Sequence, residues 1–144
     1  MSHLPRIQQV VLPILRAKLP GVQVMTWVPD VDYRQFPMLN IRRIGGERAW
    51  RLPNELATPV IEMTAYGSEG LVETELLYED ALEALYDAVL YQVQTPVGYL
   101  HSIRETMGAT QFSSLYMDSW RIQGLIQLGV RPPNKSRSKS YATE

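Results

Sequence analysis

Hydrophobic positions recur along this chain with two periods, and each change of period marks an element. Ile7, Val10, Val11, Ile14 and Leu15 follow the i, i+3, i+4, i+7, i+8 rhythm of one apolar helix face. This predicts a helix over residues 4–19. Pro5 suits its first turn, where a missing N–H costs nothing. Pro13 removes the bond to the carbonyl of Gln9 and is expected to kink the helix. Pro20-Gly21 ends it. The period then falls to two. Val22–Val28 reads as a strand, with Val22, Val24, Thr26 and Val28 on one side and Met25 and Trp27 on the other. Met38–Ile44 reads as a second strand, stopped by Gly45-Gly46, after a loop from Asp30 to Phe36. Residues 45–58 form a polar connection that holds Trp50. Pro59 opens a third strand, Val60–Tyr66, with Ile61, Met63 and Ala65 on one face.

The helical rhythm returns over Thr74–Val93, where Tyr78, Ala81, Leu82, Leu85, Val89 and Gln92 or Val93 mark a core stripe. Tyr99–Glu105 reads as a short strand. Trp120–Val130 is a stronger one, alternating through Trp120, Ile122, Gly124, Ile126, Leu128 and Val130. The order is α-β-β-β-α-β-β. Three strands in succession favour antiparallel meander pairing. The expected class is α+β: a mainly antiparallel sheet with two helices packed on one face. Ile14, Ile61, Leu82, Leu85 and Val89 are expected in the core.

Composition adds limits. The 144 residues suit one domain, here residues 1–131, followed by a basic, Ser-rich tail over 132–144. Asn134–Glu144 has only Tyr141 and Ala142 as apolar residues, so it is expected to be mobile. The chain has no cysteine, which excludes disulfides, thiolate metal sites and a Cys nucleophile. No apolar run approaches the ~20 residues of a membrane span, so no membrane partner is expected. Neither is a signal peptide, because no basic stretch precedes an apolar core.

No catalytic constellation stands out, and the chain is expected not to be an enzyme. His3 and His101 do not supply the three or four ligands a metal site needs. Asp30 and Asp32 offer a hard cation too few oxygens and fit a solvated turn. Ser113-Ser114 lacks the glycine setting of a nucleophile elbow. Neither Gly45-Gly46 nor Gly67-Ser-Glu-Gly70 resembles a phosphate loop. No cofactor is expected.

The net charge of −1 conceals strong segregation. Residues 1–51 carry eight basic groups against three acids. Residues 52–103 carry nine acids and no Lys or Arg. Residues 104–144 carry six basic groups and three acids. Such blocks satisfy one another within a fold, or act as complementary surfaces between copies of the chain. The second helix sharpens this choice. Glu75, Glu79, Glu83 and Asp87 recur every four residues, within about 120° of arc. Like charges so placed repel, and no basic residue on the helix relieves them. Leu76, Tyr86 and Leu90 project among the acids, away from the core stripe. This favours an intersubunit contact over a solvated face, with Arg42 and Arg43 of a neighbouring copy as natural partners. Arg48, Trp50 and Arg51 form a second candidate contact. An arginine-flanked tryptophan also suits a nucleic-acid-binding module, although a chain with pI ≈ 6.1 lacks the basic balance of a dedicated binder.

At this point the sequence resembles the tail terminator proteins of long, non-contractile-tailed bacteriophages. The resemblance rests on the helix ending in Leu19-Pro-Gly-Val22, the strand Pro37-Met-Leu-Asn-Ile-Arg-Arg-Ile44 after a Pro-rich bend, and Pro59-Val-Ile-Glu-Met-Thr-Ala-Tyr-Gly67 before an acidic helix. The closing strand Trp120-Arg-Ile-Gln-Gly-Leu-Ile-Gln-Leu completes it. It implies a structural virion protein forming a homo-hexameric ring. That ring caps the tail tube, stops tube polymerisation and joins the tail to the head. Its implied partners are further copies of itself, the tail tube protein and a head–tail connector or stopper protein, with DNA only as the passing genome. Its implied location is the tail or neck of the virion, and the host cytoplasm during assembly. A head–tail connector or tail-completion protein of the same neck is the neighbouring alternative.

Overall fold

The structure is a computed structural model and describes residues 4–26, 35–113 and 119–133. The expected mobile tail, the Asp30–Asp32 turn, His3, Ser114 and residues 27–28 of the first expected strand lie outside the described residues. The element order is α1 (Ile7–Lys18), β1 (Gln23–Met25), β2 (Met38–Arg48), β3 (Ala57–Gly67), α2 (Leu71–Leu90), β4 (Tyr99–Phe112) and β5 (Trp120–Arg131). The five strands form one sheet in the order β1-β2-β3-β5-β4. α1 lies against β1 and β2, α2 lies against β3, β5 and β4, and the two helices touch each other. This is the α+β arrangement in the order the sequence predicts.

The register explains why one face is buried. Leu39 pairs with Ala65, and Ala65 with Ile122. Ile41 pairs with Met63, and Met63 with Gly124. Ile61 pairs with Ile126. Successive side chains alternate between faces, so these rows share one face and join the helix stripes in a single core. Ile14, Ile61, Leu82 and Leu85 are buried as expected, and Val89 is partly buried against the core. The opposite face is mixed, with Met38 and Tyr66 buried on it beside polar and charged residues. There Arg42 pairs with Glu62 at 3.1 Å, and the Thr64 hydroxyl donates to Gln123 Oε1 at 3.2 Å.

Several expectations need correction. β1 covers Gln23–Met25, leaving Val22 and Thr26 outside it, and it pairs parallel to β2, so the first three strands are not an antiparallel meander. Arg16 of α1 secures the short strand, donating from Nε and Nη2 to the Val24 carbonyl at 3.2 and 2.8 Å. β2 does not stop at Gly45-Gly46. It continues to Arg48 through a bulge between Arg43 and Gly45, and β3 begins at Ala57. Gly46 has φ +96°, and a Cβ there would run into the backbone of Thr58 and Pro59, so the bulge needs a glycine. β4 reaches Phe112 rather than Glu105. Three register irregularities shift its inside–outside parity, which hides the strand from a period-two reading.

The helices also differ at their ends. α1 spans 7–18 and runs through Pro13 as one helix; Pro13 is exposed, so water can reach the unpaired Gln9 carbonyl. α2 starts three residues early and ends at Leu90. Gln92 adopts φ +47°, which breaks the helical phase, so Gln92 and Val93 are exposed and do not extend the core stripe.

Candidate assembly surface

The core side of α2 consists of Thr74, Leu77, Tyr78, Ala81, Leu82, Ala84, Leu85 and Ala88, all buried. The outer side is what that packing leaves. Glu75, Glu79 and Glu83 are exposed there, and Asp87 is half-buried. Among the described residues no Lys or Arg lies within salt-bridge distance of these four acids. Leu76 is 57% exposed, Tyr86 40% and Leu90 71%, so their sequence-predicted projection from the core is real. Val72, 64% exposed, extends the set and was missed in sequence. Its signal was its place four residues before Leu76. The outer face therefore has apolar residues at both ends and acids between them.

One of these side chains has a partner within the chain. Tyr86 donates its hydroxyl to Glu105 Oε2 on β4 at 2.8 Å. That bond, then burial, then the charge of Glu105 hold the Tyr86 hydroxyl above its ordinary pKa.

The arginines divide. Arg42 and Arg43 are adjacent on a strand and point to opposite faces. Arg42 is engaged by Glu62 on the face away from the helices. Arg43 lies in the row of Ile61 and Ile126, on the helix-bearing face. It lines a cleft of about 220 Å³ with Arg6, Arg48, Leu4, Pro5, Ala57, Pro59 and Val130. The structure thus gathers Arg6, Arg43 and Arg48 with no acid among the lining residues. Sequence reading missed Arg6, because only tertiary packing brings the start of α1 beside the β2–β3 hairpin.

Trp50 and Arg51 sit in the turn of that hairpin, which is closed by the Ala49 N–H donating to the Leu56 carbonyl at 3.0 Å. Trp50 is 81% exposed, and the Arg51 guanidinium lies 4.7 Å from its ring centroid. The pair forms a cation–π contact at the tip of a protruding hairpin. His101 is exposed on β4, and no group of three metal-ligating side chains occurs among the described residues. No helix among them is long and apolar enough to cross a membrane.

Residues 3–137 match the family model described as phage tail termination protein. Two curated relatives are each called gene 22 protein. The one from Mycobacterium phage D29 is 63% identical over 138 residues, covering 94% of this chain and 99% of the relative. The one from Mycobacterium phage L5 is 66% identical over 135 residues, covering 92% and 97%. A chain in the virion of a native gene transfer agent particle shares the fold, with a TM-score of 0.55, 17% identity and coverage of 87% of this chain and 94% of that one.

Proposed function

This chain belongs to the phage tail termination protein family, and from that premise we propose that it forms a homo-hexameric ring that caps the tail tube. It is a structural component of a phage tail. In the proposed role the ring ends tube polymerisation and joins the tail to the head or neck. The observation that carries this reading is the outer face of α2: exposed apolar residues flanking acids that no described basic group relieves. A solvated helix gains nothing from such a face. The cleft lined by Arg6, Arg43 and Arg48 is its electrostatic complement. Acidic and basic surfaces at different places on one chain form a head-to-tail contact, and such contacts generate rings when the rotation closes. Arg42 lies on the opposite, Glu62-bearing face of the sheet and does not line this cleft, so it would have to leave Glu62 to join the contact. The exposed Trp50 and Arg51 hairpin is assigned to the tail tube or the connector protein.

Native mass spectrometry of the purified chain, alone and mixed with tail tube protein, tests the proposal. A closed oligomer of six copies is expected. A chain that stays monomeric in both samples would rule the ring out.

A further inference from the structure

A second acidic surface lies beside the first and shares Leu76 with it. The end of α1, the segment after β3 and the first turns of α2 enclose a cleft of about 450 Å³. Its walls are apolar at Leu19, Val22, Pro37 and Leu77, and among the described residues its rim carries Glu69, Glu73 and Asp80 with Lys18. Asp80 and Glu73 fall on a different flank of α2 from Glu79 and Glu83, by the 100° advance per residue. The cleft is therefore open beside the contact proposed above.

We propose that this cleft receives the basic C-terminal segment of a neighbouring copy. Lys135, Arg137 and Lys139 alternate with serines. In an extended chain a spacing of two places all three cations on one side. Tyr141 follows at the same spacing and is a suitable side chain for the apolar wall. Reach decides whose cleft is filled. The segment leaves the sheet after Arg131, at the end of β5, whereas the cleft lies at Gly67, which pairs with Trp120 at the start of β5. The 12 residues of β5 separate these ends by about 37 Å. Lys135 is four residues beyond Arg131 and reaches at most about 14 Å, and Lys139 at most about 29 Å. The three cations cannot lie together in the cleft of their own chain. They meet that cleft on another copy, whose exposed α2 face adjoins it. The inference rests on the ring reading, because it needs a neighbour.

Zero-length carbodiimide coupling in a mixture of unlabelled and ¹⁵N-labelled chains tests it. The sequence has three lysines, Lys18, Lys135 and Lys139, so the products are easily assigned. Light–heavy links from Lys135 or Lys139 to Glu69, Glu73 or Asp80 are expected. Reversing the tail charges (Lys135→Glu, Arg137→Glu, Lys139→Glu) is expected to raise the concentration needed for assembly about tenfold. Adding Glu69→Lys and Glu73→Lys to that variant is expected to restore it. Assembled rings without these light–heavy links, or rings indifferent to the tail reversal, overturn the tail contact and leave the ring reading intact. A sample with no oligomer overturns both.

Discussion

Tyr78 shows how one side chain sets local stability. It is fully buried, and its hydroxyl has no hydrogen-bond partner among the described residues. A Cβ on Gly124 would collide with that hydroxyl, which is why this core row contains a glycine. A buried hydroxyl left unpaired costs about 1–3 kcal/mol, so Tyr78→Phe is expected to raise stability by about 1 kcal/mol in urea unfolding at neutral pH. Gly124→Ala is expected to cost about 1–3 kcal/mol through overpacking, with a smaller loss when combined with Tyr78→Phe. The same residue controls the alkaline limb. Burial, then the charges of Glu105 and Glu79, push the Tyr78 hydroxyl far above its ordinary value of 10.0. Above pH 10 the unfolded chain therefore gives up this proton while the folded chain keeps it, so stability falls as pH rises. Tyr78→Phe is expected to flatten that fall between pH 10 and 11. Equal slopes for the two proteins would count against the buried, protonated hydroxyl.

At the scale of elements, each irregular feature has an identifiable cause. The β2–β3 hairpin depends on Gly46, whose positive φ and close approach to Thr58 leave no room for a side chain. Gly46→Ala is expected to destabilise the protein by more than about 1 kcal/mol and to shift amide signals around Arg48 and Trp50. Pro59 fits the same region because it pairs with Gly46 beside the bulge, where the register of β3 with β5 steps from Ala57 to Val60. β1 is held by Arg16, whose two nitrogens share the Val24 carbonyl. Arg16→Ala is expected to speed hydrogen exchange in β1 and to cost about 1–2 kcal/mol, since a hydrogen bond from a charged donor is lost.

At the scale of the molecule, the segregated charge gives the α2 face and the arginine cleft opposite signs, and the proposed ring would join them. Glu79→Lys with Glu83→Lys is expected to weaken assembly while leaving the monomer at least as stable, because repulsion along α2 is relieved. Each exposed ion pair contributes only about 0–1 kcal/mol, yet every interface of a closed ring repeats it. Native mass spectrometry with circular dichroism reads both effects. A double variant that assembles at the normal concentration and in raised salt would exclude this face from the contact. Salt alone is expected to loosen the assembly, since the Debye length shrinks from about 10 Å at 0.1 M to about 3 Å at 1 M.

The sequence by itself determined the element order, the α+β class and the core stripes, because burial imposes the 3.6 and 2 periods on any chain that folds this way. It also determined the outer face of α2: Leu76, Tyr86 and Leu90 follow from helix geometry once Tyr78, Leu82 and Leu85 are buried. Only the tertiary structure decided the rest. The parallel pairing of β1 is a long-range choice that local alternation does not encode. The length of β4 is masked by bulges that reverse parity. Arg42 and Arg43 look alike in sequence, yet one falls to Glu62 and the other joins Arg6 and Arg48. That sorting depends on which strand edges meet and which helix end lies beside them, and these are properties of packing between distant segments rather than of any local pattern.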